Sequence, residues 1–90
     1  MISKQFTITA PEGLHARPAA EIVKAASKFQ AETTLVFDGK NVNLKSILGV
    51  MSLGVPTGSE ISINVDGSDE DLALQKLEET FATSGLGVAK

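Results

Sequence analysis

The stretch Ile61-Ser62-Ile63-Asn64-Val65 decides the fold. Apolar and polar side chains alternate along it, so a strand here buries Ile61, Ile63 and Val65 on one face and presents Ser62 and Asn64 on the other. A sheet built from such strands needs cover on one side only. Downstream, Asp66-Gly67 turns the chain into a helix. Ser68 and Asp71 form a capping box, acidic residues crowd the first turn, and Leu74, Leu77 and Phe81 supply an apolar stripe that ends at Gly85. The tail to Lys90 is expected to be loose. Upstream, Ser46 precedes Ile47-Leu48-Gly49-Val50-Met51-Ser52-Leu53, a short helix stopped by Gly54 and Pro56.

Thr33-Thr34-Leu35-Val36-Phe37 is β-branched and aromatic, and Asp38-Gly39-Lys40 turns it into a short strand around Val42. At the start of the chain Ile2, Phe6 and Ile8 alternate with Ser3, Gln5, Thr7 and Thr9, a half-buried strand over residues 2–9. Lys4 interrupts its apolar face, which points to a sheet edge. Between these strands a helix runs from Ala16 or Pro18 to Lys28. Ala19, Ile22, Ala26 and Phe29 form its core face, and Ala16, Ala20, Val23 and Ser27 a second, weakly apolar one. The order strand–helix–strand–strand–helix–strand–helix, βαββαβα, predicts an α+β fold with a split β-α-β arrangement. It is an open-faced β-sandwich whose four-stranded sheet carries its helices on one side. Residues 1–90 make one domain, with chain enough for a two-layer core.

Composition removes several classes of function. There is no cysteine and only one histidine, so neither a disulfide framework nor a Cys- or His-cluster metal site is available, and no cofactor is expected. Met1-Ile2-Ser3-Lys4-Gln5 lacks the apolar run of a signal peptide, and no segment approaches a membrane span, so a cytoplasmic protein without direct membrane insertion is expected. The net charge of −3 conceals an asymmetry. Residues 1–50 carry six Lys/Arg against four Asp/Glu, whereas residues 51–90 carry two against seven. Arg17, Lys24, Lys28 and Lys45 lie in the basic half, which favours a phosphate or an acidic protein partner. The acidic total and the scarcity of aromatics argue against direct nucleic-acid binding.

That single histidine, His15, stands in Gly13-Leu14-His15-Ala16-Arg17-Pro18, just before a helix start. Pro18 suits a first helical turn, where its missing N–H is no loss. The imidazole therefore meets the free amides and positive dipole end of a helix, an arrangement that attracts phosphate, with Arg17 two residues away. A nucleophile beside fixed charges able to hold a phosphoryl group reads as a phosphohistidine carrier. A purely capping histidine is the plainer alternative, but Ser or Asp caps better. Ser46 on physical grounds alone reads as an N-cap, although a phosphate there would be stabilised by the helix dipole and Lys45. A helix of two turns cannot bury all of Ile47, Leu48, Val50, Met51 and Leu53, and exposed Ile47, Leu48 and Met51 would suit a partner surface.

The run Gly13-Leu14-His15-Ala16-Arg17-Pro18-Ala19-Ala20 resembles the phosphorylation-site motif of the HPr family, the histidine-containing phosphocarriers of the bacterial sugar phosphotransferase system. The second motif, Asn43-Leu44-Lys45-Ser46-Ile47-Leu48-Gly49-Val50-Met51, extends the resemblance over the whole chain. It implies three helices over an antiparallel four-stranded sheet, and a carrier rather than an enzyme. It further implies that His15 accepts a phosphoryl group on Nδ1 from Enzyme I and passes it to the IIA component of a sugar-specific Enzyme II, with Arg17 contacting the active centre. Ser46 matches the serine modified by HPr kinase/phosphorylase in low-GC Gram-positive bacteria, where the serine-phosphorylated form acts with a catabolite control protein. The expected partner surface comprises Ala16, Ala20, Val23, Lys24, Ser27, Ile47, Leu48 and Met51, and a monomer best suits a diffusing carrier. Two other readings stay open at this point: a regulatory binding module in which Ser46 matters and His15 does not, and a small hydrolase using His15 as base.

Overall fold

Period-two alternation in the first and fourth strands, a β-branched hairpin between them and helical stripes in the intervening segments produce two layers in the computed structural model, which describes residues 1–90. The elements are β1 (Ile2–Ile8), α1 (Ala16–Ala26), β2 (Glu32–Phe37), β3 (Lys40–Asn43), α2 (Ile47–Ser52), β4 (Glu60–Asp66), α3 (Glu70–Thr83) and β5 (Gly87–Ala89). Strand order is β3-β2-β4-β1-β5, antiparallel throughout. The alternating segment becomes the central strand, β4, where Ile63 stands opposite Lys4 on one side and Leu35 on the other. The fold is α+β, with three helices packed on the sheet.

The sheet has five strands, not the expected four, because the tail is not loose. Gly85 adopts φ +69° after α3, the Gly85 N–H donates to the Ala82 carbonyl, and the Leu86 N–H donates to the Phe81 carbonyl. This pairing is a Schellman C-cap, which reverses the chain and drops Leu86 into the core. Gly87 then pairs with Ile8 so closely that a Cβ would overlap the Thr7 carbonyl oxygen. Three residues without alternation give no strand signal of their own.

Lys4 marks an edge only locally: β1 lies between β4 and β5, but β5 pairs with Phe6, Thr7 and Ile8, which leaves Lys4 with a strand partner on the β4 side alone. Its ammonium lies at the rim of the helical layer and pairs with Glu78 of α3, so the stem packs while the charge reaches solvent. Helix α1 stops at Ala26 rather than Lys28. Ser27 is its C-cap, and the Lys28 and Phe29 amides tighten the exit with bonds to the Ala25 and Ala26 carbonyls. Arg17 lies inside the helix.

One cluster of 20 buried apolar residues fills the space between sheet and helices. Phe6 of β1 stacks on Phe81 of α3 with ring centroids 4.4 Å apart, a contact of roughly 0.5–1.5 kcal/mol beyond the area buried. Ala19, Ile22 and Ala26 of α1 are buried as expected, with Phe29 packed at their margin.

The capping box at Ser68 and Asp71 does not form. Asp69 is the N-cap of α3 but makes no cap bond. Its carboxylate accepts from the Gln30 and Ala31 amides, each at 2.9 Å, while Glu70 Oε1 accepts from the Gly67 amide. Two aligned donors across the fold outcompete one in the helix's own first turn. The Gln30 hydrogen bond, helped by that of Ala31, outweighs partial desolvation and holds the Asp69 carboxyl below its ordinary value of 3.8. A depressed carboxyl stabilises the fold above its unfolded pKa, and that stability is lost as pH falls through the folded value. Asp69→Asn should therefore melt lower than the parent at neutral pH, and the gap should close well below pH 3.8. Solvent screening keeps the effect modest. Equal melting temperatures at neutral pH would show that the clasp contributes nothing.

Candidate functional site

A glycine makes the turn into α1. Gly13 holds φ +72°, its amide donates to the Ala10 carbonyl, and an added Cβ would strike the Val55 backbone. Leu14 follows, buried, with its amide on the Val55 carbonyl at 2.9 Å. The loop before α1 is thus tied to the loop after α2, and His15 becomes the N-cap in extended backbone, φ −94° and ψ −178°. Its carbonyl accepts from the Ala19 amide, while its side chain makes no cap bond.

The imidazole is left for other work. Its side chain is 39% exposed. Nδ1 lies 3.1 Å from the Gly13 carbonyl oxygen and Nε2 lies 3.7 Å from Glu12 Oε2. The amides of Ala16 and Arg17 occupy the first two helical positions, where no intrahelical acceptor exists, and Pro18 has no N–H. His15, Arg17 and Glu21 face Thr80, Thr83 and Ser84 of the α3 C-terminus across a groove. A second opening beside it is lined by Pro11, Glu12, His15, Ala16 and Arg17. No ion pair engages the Arg17 guanidinium. The result is a nucleophilic ring at a helix start with a free cation in reach, chemistry suited to taking and surrendering an anionic group.

The expected residues divide into three groups. His15 and Arg17 share one groove. Ala16, Ala20, Lys24 and Ser27 are exposed and Val23 half-buried along α1. On α2 only Val50 is buried, whereas Ile47, Leu48 and Met51 are 38%, 80% and 37% exposed. The basic residues do not form one face around His15. Lys24 and Lys28, with Lys76 and Glu79, line the adjoining α1–α3 groove, which shares Glu21, Thr80 and Thr83 with the His15 groove. Lys45 Nζ instead donates to the Phe29 carbonyl at 2.8 Å, tying the start of α2 to the exit of α1. Ser46 caps α2, its Oγ accepting from the Gly49 amide at 3.1 Å. Glu12 drew no role from the sequence, although its i, i+3 spacing to His15 is the signal that could have found it. The Thr80, Thr83 and Ser84 side of the groove had no local signal, because only tertiary packing brings it there.

Residues 2–83 match the family model described as the PTS HPr component phosphorylation site. The chain belongs to the HPr family. Among solved structures, the histidine-containing phosphocarrier protein of Mycoplasma is 42% identical over 96% of this chain and 98% of its own, with a TM-score of 0.94. The phosphocarrier protein HPr of Bacillus anthracis is 44% identical over 88% of this chain and 94% of its own, with a TM-score of 0.81. Crh of Bacillus subtilis, a catabolite repression protein solved as a swapped dimer, is 42% identical over 92% of this chain and 95% of its own, with a TM-score of 0.72. Membership in the HPr family makes the chain a phosphocarrier of the phosphotransferase system rather than a catalyst. No helix is long and apolar enough to cross a membrane.

Proposed function

We propose that His15 accepts a phosphoryl group from phosphorylated Enzyme I and passes it to the IIA component of a sugar-specific Enzyme II. The observation that carries this reading is the N-cap histidine whose side chain does no capping and opens instead on a groove shared with Arg17. Two free amides and a guanidinium hold an incoming phosphoryl group by charge-assisted bonds. The helix start is open, so the group is held without being enclosed. Ala16, Ala20, Val23, Lys24 and Ser27 with Ile47, Leu48 and Met51 form the surface that docks both partners, and the carrier works in the cytoplasm as a monomer. Incubation with phosphoenolpyruvate and Enzyme I should add one phosphoryl group in the intact mass, mapped to His15. A chain that gains no mass, or gains it elsewhere, would remove the proposal.

Ser46 is the regulatory site in the same reading, phosphorylated by an HPr kinase/phosphorylase and presented in that form to a catabolite control protein. Its place at the edge of the exposed Ile47, Leu48 and Met51 cluster supports this. A phosphate adds about −1.5 to −2 charge beside that cluster. Ser46→Asp, which can cap α2 as serine does, should weaken Enzyme I docking by a few-fold at low salt, the scale of an exposed charge contact. More Enzyme I should restore the rate, and high salt should shrink the difference. An unchanged apparent affinity at both salt concentrations would reduce Ser46 to a cap.

A further inference from the structure

The groove beside His15 has two unlike walls. On one stand the start of α1 and Arg17, which suit an anion. On the other the end of α3 presents Thr80, Thr83 and Ser84, with Glu21 of α1 beside them. Each of these three hydroxyls spends its proton on its own helix. Thr80 Oγ1 donates to the Lys76 carbonyl at 2.7 Å, and Thr83 and Ser84 donate to the Thr80 and Phe81 carbonyls at 3.4 Å. What they offer a visitor is lone pairs. The Thr83 and Ser84 carbonyls accept no backbone bond. No basic residue stands in the last turn of α3 to offset the negative end of its dipole. Glu21 is exposed and forms no ion pair, either with Arg17 one turn before it or with Lys24, Lys28 and Lys76 of the adjoining groove. This wall is all acceptor, with no donor of its own to meet it.

We propose that the wall is a seat for a basic side chain of Enzyme I. The Glu21 carboxylate and the end of α3 grip the cation, while Arg17 on the facing wall serves the phosphoryl group. This rests on His15 being the phosphoryl acceptor. The groove, about 470 Å³, has room for such a side chain. The lysines of α1 call for acidic groups on the same partner, so the interface is mixed in sign, and Glu21 fixes its register. A partner slid one turn along α1 would bring its cation against Lys24, and like charges set face to face penalise the wrong alignment.

The test reads the sign of the effect. Against a partner that is acidic all along α1, removing the Glu21 charge would tighten binding. A seat for a cation requires that it loosen. Calorimetric titration of Enzyme I with the full chain, without phosphoenolpyruvate, should show Glu21→Gln weakened by about two- to five-fold at low salt, the scale of an exposed charge contact. Glu21→Lys should be weaker still, and high salt should shrink both differences. Thr83→Val, which removes one neutral acceptor and keeps the shape, should weaken binding less. Both positions are exposed, so these variants keep the fold, and thermal melts check it. An affinity unchanged or raised in Glu21→Gln overturns the seat, even where His15 takes up phosphate. A parent chain that does not bind Enzyme I overturns both the seat and the reading beneath it. Phosphate mapped to a residue other than His15 overturns that reading whatever the affinities show.

Discussion

His15→Ala should abolish phosphoryl uptake completely while leaving the fold in place. No second imidazole exists in the chain to substitute for it, and the loss is one of chemistry, not of affinity, so excess Enzyme I should not recover it. The structural cost is small for identifiable reasons. The N-cap role runs through the His15 backbone carbonyl, which alanine retains, and the side chain makes no cap bond. The Gly13 carbonyl, deprived of Nδ1, still accepts from the residue 15 amide. A partly exposed substitution of this kind stays within about 0.5 kcal/mol, or roughly 2–4 °C of melting temperature for a domain this size. Labelled phosphoenolpyruvate with Enzyme I and a thermal melt measure the two halves separately. Label retained on the variant would refute the acceptor role, and a collapsed melt would show that the ring matters to folding.

Arg17→Ala should slow transfer by about 10- to 150-fold, the equivalent of losing one charge-assisted contact of roughly 1.5–3 kcal/mol. The guanidinium lies on the groove that holds His15 and spends itself on no carboxylate. Its charge is therefore available to the phosphoryl group, and its removal costs the fold little. Arg17→Lys should recover only part of the rate, since an ammonium lacks the planar fork that grips two phosphoryl oxygens together. Rapid-quench measurements of uptake from Enzyme I and of donation to IIA would show the effect in both directions. Wild-type rates in Arg17→Ala would make the residue a solvated charge and nothing more.

What the sequence made legible were features written within a few residues. Alternation in Ile61–Val65 fixed the half-buried character of β4, and the turn chemistry of Gly13 with Pro18 placed His15 at a helix start. The excess of apolar residues in Ile47–Leu53 correctly required that some face solvent. What stayed hidden depended on residues far apart meeting in space. β5 is three residues long and exists because a Schellman turn aims it at β1. Lys4 interrupts the apolar face of β1, and its partner there, Glu78 of α3, comes from the far end of the chain. Ser68 and Asp71 looked like a local cap, yet the N-cap is Asp69, whose carboxylate is claimed by amides 38 and 39 residues away. At the site the same division holds: His15 and Arg17 lie two residues apart in sequence, whereas the α3 wall of their groove is distant.

All three helices lie on one side of the sheet, and that leaves a bare platform on the other. Ser3 of β1 is exposed there, across from Asn64 of β4, with the whole sheet between it and the helical layer that carries His15. The chain contains no cysteine. Ser3→Cys would therefore create a unique thiol with nearly unchanged shape, at a position where surface substitutions cost within about 0.5 kcal/mol. A fluorophore or tether attached there would report binding at the opposite face without standing in the way of it. The one-sided architecture thus gives the carrier a handle as well as a hand.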